Sequence, residues 1–138
     1  MIKRKFAITG NTDGSYDGDI VYFGGEAETI AAGQIVHYNA SGNWELAESD
    51  DDSKSTGLLG VALGSDASVH GVLLRGMVTL SADPGSVGGI VYLSLTAGQG
   101  IGTAPSSSGN VVRVIGYCLD ASNGQIWFNP DNTWVEIA

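Results

Sequence analysis

The sequence Gly33-Gln34-Ile35-Val36-His37-Tyr38 has a counterpart 55 residues further along the chain, Gly88-Gly89-Ile90-Val91-Tyr92-Leu93. A second pair of similar segments, residues 58–64 and 114–120, follows at an offset of 56 residues. In each copy a glycine precedes a short apolar run, a polar segment follows, and a second apolar run ends the unit. A β unit that cannot bury its own apolar face packs against its twin. We therefore predict one closed body with an internal pseudo-repeat, whose copies span about residues 33–64 and 88–120.

Short apolar runs bounded by turn residues recur along the rest of the chain. Residues 73–80 alternate between two faces, and this period of two indicates a β-strand. Residues 39–43 and 121–124 have the Asn and Gly content of hairpin loops. These patterns predict an all-β fold, a single compact β-barrel or β-tulip-like domain. We expect strands at about residues 20–23, 34–39, 43–48, 58–64, 70–80, 89–95, 111–119, 125–128 and 133–137.

Length and composition agree with one β domain. A chain of 138 residues with 21 glycines and 15% charged residues has the size of a single domain built from short strands and tight turns. Residues 1–19 are polar and rich in turn residues, so we expect a flexible N-terminal arm. The β domain is then expected over residues 20–138.

The charge is acidic overall and basic at one end. Fifteen acidic and six basic residues give a net charge of −9, which opposes binding to nucleic acid phosphates. Lys3, Arg4 and Lys5 place half of the basic residues at the N-terminus. They form either a solvated terminus or an arm that docks on an acidic surface. Because the apolar core of a secretory signal and a membrane-length apolar run are missing, we expect synthesis in the cytoplasm and no membrane contact.

Residue patterns for catalysis or metal binding are weak. Cys118 is the single cysteine and lies in an apolar run, where cysteine packs as a small hydrophobe. His37 and His70 have no carboxylate at a diagnostic spacing, and we expect both at half-exposed strand positions. The acidic run at residues 50–52 predicts a solvated loop, because consecutive aspartates do not supply the alternating ligands of a calcium loop. We expect no cofactor, no metal site and no enzymatic activity.

Aromatic residues are the more informative feature. Trp127-Phe128-Asn129-Pro130-Asp131-Asn132-Thr133-Trp134 brackets a proline turn with tryptophans close to the end of the chain. These side chains can close one end of the body or lie at a subunit interface, where aromatic residues are enriched. The candidate interface residues are Trp127, Phe128 and Trp134.

The glycine-punctuated segments together resemble the small β-rich virion proteins of tailed bacteriophages. The resemblance extends from about residue 20 to the end of the chain, and it includes the closing segment 126–136. The other segments that carry it are 57–64, 71–78, 89–94 and 114–119.

The resemblance implies a head decoration, or cement, protein. Such a protein is a β-barrel or β-tulip, often a homotrimer, that binds the major capsid protein on the outer capsid surface and stabilises the shell. Its N-terminal arm touches the shell, and here that arm carries Lys3, Arg4, Lys5 and Phe6. No catalytic residue follows from the resemblance.

Two alternative functions stay open. A phage fibre or tail component would bind a host-surface glycan, with Trp44 or Trp127 stacking on sugar rings. An enzyme would need a cleft that holds His37 or His70 beside a carboxylate.

Overall fold

A computed structural model describes residues 12–82 and 84–138. Of these described residues, 39% are in strands and 6% in helices, so the predicted all-β class is confirmed. A four-residue α-helix, α1 (Ala67–His70), and a single 3-10 turn (Asp52–Lys54) are the helical parts of the described residues. The strands are β1 (Tyr16–Val21), β2 (Gly25–Glu26), β3 (Ile35–Tyr38), β4 (Asn43–Leu46), β5 (Leu59–Ala62), β6 (Val72–Thr79), β7 (Ile90–Leu93), β8 (Gly100–Ile101), β9 (Val111–Val112), β10 (Val114–Asp120), β11 (Gln125–Phe128) and β12 (Val135–Glu136).

Most strands belong to one sheet with two arms, which are distinct from the N-terminal arm of the sequence. Strands β2, β4, β3 and β5 form one arm of the sheet, β11, β10, β7 and β8 form the other, and β6 joins them. The strand order is β2-β4-β3-β5-β6-β11-β10-β7-β8. Strands β5 and β11 pair with different parts of one edge of β6, and β1 pairs with the opposite edge. Strands β9 and β12 form a separate two-stranded sheet. The sheet is not closed into a barrel. Loop hydrogen bonds join the outer ends of the two arms instead, from Ile35 N to Gly98 O at 2.8 Å and from Gly98 N to Ala47 O at 2.7 Å.

The main core lies between the two arms. Its fully buried side chains come from β3 and β5 on one arm and from β7 and β10 on the other. Because apolar faces of both arms are removed from water by the same cluster, neither arm can keep its core alone. The cluster consists of Ile35, Ala47, Leu59, Val61, Leu73, Val78, Leu80, Val91, Leu93, Ile115, Cys118, Ile126 and Phe128.

The two predicted repeat copies have the same strand order. Strand β3 pairs with β4 and β5, and its counterpart β7 pairs with β8 and β10. The pairs Ile35–Val61 and Ile90–Tyr117 stand at matching registers. The facing differs, since Ile35 is fully buried whereas Ile90 is 41% exposed. A second apolar cluster around Trp44 covers the outer face of β3, and the outer face of β7 remains at the surface.

Strand β6 serves both arms by changing face. Leu73 and Val78 both point into the main core although five residues separate them, which regular alternation forbids. The change occurs at Gly76, where φ is +138°, and β1 has a register shift between Asp19 and Ile20. Our prediction of unbroken alternation over residues 73–80 was wrong for this reason.

Several predicted boundaries need correction. Strand β1 begins at Tyr16, so residues 16–19 belong to the sheet and not to the predicted arm of residues 1–19. Residues 1–11 of that arm lie outside the described residues. His70 ends α1 and is exposed, whereas we expected a strand to begin there. The predicted strand 111–119 is divided at Arg113 into β9 and β10, which belong to different sheets. The remaining predicted strands each contain an observed strand.

Candidate assembly surface

A row of apolar side chains crosses the outer face of the sheet. Four residues stand opposite one another on adjacent strands: Ile90 on β7, Tyr117 on β10, Trp127 on β11 and Met77 on β6. We call these four residues the outer row. Ile90 is 41% and Tyr117 49% exposed, and Trp127 and Met77 are half-buried. Their strand neighbours Val91, Cys118, Ile126 and Val78 point inward into the core. Side-chain alternation thus places a second apolar stripe on the surface.

The outer row is uncharged in an acidic molecule. All fifteen acidic residues, but just three of the six basic residues, lie within positions 12–138. One of those basic residues, Arg75, borders the row, with its guanidinium carbon 5.8 Å from the centre of the Trp127 ring. Such a contact contributes about 0.5–1 kcal/mol at an exposed site. The four side chains of the row carry no carboxylate, and Asp17 on β1 stands opposite Met77 at one end of the row.

The structure separates the three predicted interface residues. Trp127 belongs to the outer row, and Trp134 is 37% exposed beside β12. Phe128 is fully buried in the main core. Its inclusion as an interface residue needs correction, because strand alternation turns it away from Trp127 and leaves it no surface for a partner. The sequence contained this information, because side chains alternate along a strand and Phe128 and Trp127 are adjacent, so they must face opposite sides of β11.

A buried arginine holds the C-terminal segment in place. Arg113 is 2% exposed, and it donates hydrogen bonds to Asp131 O at 2.9 Å and to Ser55 O at 3.0 Å. Its guanidinium carbon lies 4.7 Å from the centre of the Trp134 ring. Burial lowers the pKa of Arg113 to about 10, against the opposing effect of Asp131, so the side chain is charged at neutral pH. Trp134 is thus fixed on the body through Arg113.

A second aromatic group lies at the other arm. Phe23 stacks on Trp44 with ring centres 5.8 Å apart, and Tyr38 packs against both rings. Trp44 is 1% exposed and donates from Nε1 to Phe23 O at 2.8 Å. The expectation that Trp44 offers an exposed platform for sugar rings was wrong, because the chain itself covers this side chain. Phe23 at 41% and Tyr22 at 56% exposure are the surface members of this region.

The sheet gives the molecule two distinguishable ends. Gly14 N donates to Thr79 O at 2.9 Å, and Leu80 N donates to Gly124 O at 2.8 Å, so the beginning of the described chain lies beside the end of β6. We call this the basal end. At the opposite, distal end Val21 pairs with Val72. Strand β11 runs from Gln125 at the basal end toward the distal end. Because Thr12 is the first described residue, whatever precedes it is attached to the body at the basal end.

The histidines do not lie as the sequence suggested. His37 is 8% exposed, and its Nδ1 is 2.9 Å from Oε2 of Glu45, the residue opposite it on β4. Asn39 donates to the other oxygen of Glu45 at 3.3 Å. We expected a half-exposed histidine without a carboxylate, so this buried pair is a correction. Neither His37 nor Glu45 lines the clefts at Ser81, Thr96, Ser86 or Asn129.

The acidic loop is an ordered turn. Asp51 caps the 3-10 turn by accepting hydrogen bonds from Ser53 N at 2.9 Å and Ser53 Oγ at 2.6 Å. The hydroxyl hydrogen bond is the main reason that the pKa of Asp51 is lowered from its usual value. Asp50 and Asp52 are exposed. Among residues 12–82 and 84–138, no group of three or more His, Cys, Asp or Glu side chains is placed to hold a metal ion.

Comparisons with known proteins do not add to this description. No protein family, curated protein or solved structure matches the chain. Within the part of the chain that the structure describes, no helix has the length and apolar character to cross a membrane. The functional interpretation therefore depends on the surface itself.

Proposed function

We propose that this chain is a non-enzymatic structural protein of a tailed-bacteriophage virion, bound to the outer capsid surface as a decoration or cement protein. The observation that carries the proposal is the outer row, an uncharged apolar stripe across four strands of an acidic body. Exposed apolar stripes of this kind are typical of surfaces that contact other proteins. The resemblance of the glycine-rich segments to small virion proteins supplies the kind of assembly.

The two ends of the body support a direction of attachment. Lys3, Arg4, Lys5 and Phe6 lie outside the described residues, but they join the body at its basal end. Their positive charge complements an acidic shell surface formed by the major capsid protein, and Phe6 can add apolar contact. In this arrangement the basal end faces the shell and the distal end faces solvent.

We propose a homotrimer on the capsid, with Trp127 in the outer row and Trp134 on the C-terminal segment as interface residues. Three N-terminal arms per trimer would multiply the strength of attachment, because each additional N-terminal arm binds at a high effective concentration. Every bound copy stabilises the assembled shell relative to free subunits. Trp127 and Trp134 lie on rigid parts of the body, as the β6–β11 pairing and the Arg113 hydrogen bonds fix them.

A duplicated body with one shared core is part of the same proposal. The shared core and the hydrogen bonds between Ile35, Gly98 and Ala47 support a tulip-like body that behaves as one unit. The equivalent strand orders of the two arms support an origin by duplication, although equivalent residues such as Ile35 and Ile90 face opposite sides of the sheet. Such a body presents a rigid outer surface without requiring a substrate pocket.

Deletion of residues 1–8 tests the attachment. We expect the shortened chain to fold as the full chain does and to load onto undecorated capsids more weakly. The difference between the two chains should shrink at higher salt, because salt screens the charges of the N-terminal arm. A matched control replaces Lys3, Arg4 and Lys5 by glutamine and keeps the length. If the shortened chain loads as well as the full chain, the arm has no role in attachment.

A further inference from the structure

A surface cleft lies beside the outer row, where the chain leaves β11. Its cavity has a volume of about 290 Å³, close to the lower limit of small-ligand sites at about 300 Å³. Tyr117 forms one wall. The other lining residues are Val114, Asn129, Pro130, Asp131 and Asn132.

The loop that lines the cleft is held in one conformation from below. Asn129 N donates to Ile115 O at 2.9 Å, and Asp131 N donates to Val114 O at 2.9 Å. Arg113 Nε donates to the carbonyl of Asp131 from the protein interior. A loop fixed by three hydrogen bonds through its backbone loses little conformational entropy when its side chains bind a ligand.

The side chains of this loop are available for hydrogen bonding. Among the described residues, the amide groups of Asn129 and Asn132 have no side-chain partner, and both residues are exposed. Asp131 accepts one hydrogen bond, from Thr133 N at 3.2 Å through Oδ1, which leaves the other carboxylate oxygen. Two amides and a carboxylate offer donors and acceptors side by side, a match for hydroxyl groups, which also donate and accept.

The charge of the cleft argues against an anionic ligand. Asp131 is negative, and the nearby Arg113 is occupied by two carbonyl groups and the Trp134 ring. An anion would meet the carboxylate without a free cation in the lining. The exposed Tyr117 ring adds a flat apolar surface with a negative face, on which the C–H groups of a sugar ring can pack.

We propose that the cleft binds a neutral saccharide, with Tyr117 as the stacking platform and Asn129, Asp131 and Asn132 as hydrogen-bonding groups. The site goes beyond shell attachment, and it fits that role because β11 carries the cleft away from the basal end. The sequence suggested Trp44 or Trp127 as the residue that stacks on a sugar ring, and this proposal assigns that role to Tyr117.

The test uses the isolated full chain at concentrations where light scattering reports a monomer, because Tyr117 also belongs to the outer row. The methyl glycosides of glucose, galactose, mannose and N-acetylglucosamine are titrated while the side-chain amide signals of Asn129 and Asn132 are followed by NMR. We expect at least one glycoside to shift both signals, with a dissociation constant on the order of 1 mM. Tyr117→Ala and Asn132→Ala should weaken that binding at least tenfold.

The matched control is Tyr22→Ala, which removes a similarly exposed tyrosine outside the cleft and should bind as the full chain does. Folding of each variant is checked by its backbone amide spectrum. The proposal is overturned if none of the four glycosides shifts the two amide signals, or if folded Tyr117→Ala binds as tightly as the unaltered chain. Neither result affects the capsid-loading experiment, so the two proposals fail independently.

Discussion

Arg113 and Arg75 each contact a tryptophan ring, but their surroundings give them different contributions to stability. Arg113 is buried, with two carbonyl acceptors, whereas Arg75 is exposed beside Trp127. The sequence does not show which of the two arginines is buried, since both follow an apolar residue in a predicted strand. The difference arises from the folding of the segment around Asp131 onto β10, which is a long-range contact that local pattern cannot reveal.

Arg113→Ala should destabilise the protein by about 2–4 kcal/mol, because two charge-assisted hydrogen bonds are lost and two carbonyl groups are left without a donor. Arg75→Ala, the matched control, should cost about 1 kcal/mol or less. Urea unfolding measures both. Equal effects of the two substitutions would contradict the role of Arg113 as the buried anchor of the C-terminal segment.

Asp66 offers a test by pH. Its carboxylate accepts hydrogen bonds from Ser68 Oγ at 2.7 Å and Ser68 N at 2.9 Å at the start of α1, and the hydroxyl contact is the main cause of a pKa below the usual 3.8. The contribution of Asp66 to stability is therefore present above pH 3.8 and is lost as the pH falls through the lower folded pKa. An NMR titration of the carboxyl carbon should give this low pKa, and Ser68→Ala should raise it. An unchanged titration in Ser68→Ala would disprove the assignment.

At the scale of elements, the apolar runs between glycine-rich turns predicted most strands. The two-residue strands β2 and β8 were missed, because segments of this length have no measurable period. The face change in β6 was also missed. It depends on how closely β1 and β6 approach at Gly18 and Gly76, and that distance is set by tertiary pairing.

Gly76→Ala tests that approach. A Cβ atom at Gly76 would lie 2.5 Å from Asp17 O and 2.6 Å from the Gly18 Cα, both of them backbone atoms. Because the strands must separate to accept it, we expect a loss of about 3 kcal/mol or more in the free energy of unfolding. Gly88→Ala is the control, since Gly88 also has a positive φ of +78° but no atom within 4 Å of the added Cβ. It should cost about 1 kcal/mol. Similar losses for both would argue against a close β1–β6 contact.

At the scale of the whole molecule, the fold class and a shared core follow from the sequence, and the open sheet does not. The repeat indicates two packed halves, but barrel closure depends on whether the outer strands meet, which repeat length leaves undetermined. The candidate surface was partly predictable: Trp127 was identified, whereas Ile90 and Tyr117 became visible when cross-strand register placed them beside it.

The proposed trimer makes a prediction about the outer row. Light scattering of the concentrated chain should give three times its mass of 14.2 kDa. Ile90→Glu should shift the population toward monomer, because it introduces negative charge into the uncharged row. Val69→Glu is the matched control, as Val69 is an exposed branched residue on α1 outside the row, and its mass should be unchanged. A monomer mass at all concentrations would contradict a trimer in solution.

The location of the body on intact particles tests the central claim most directly. An electron-microscopy map of the virion should contain density for this chain on the outer capsid lattice, with the Thr12 end of the body toward the shell and the loop at Asn129 toward solvent. Density on the tail or inside the shell would contradict the account, as would a body whose distal end contacts the capsid.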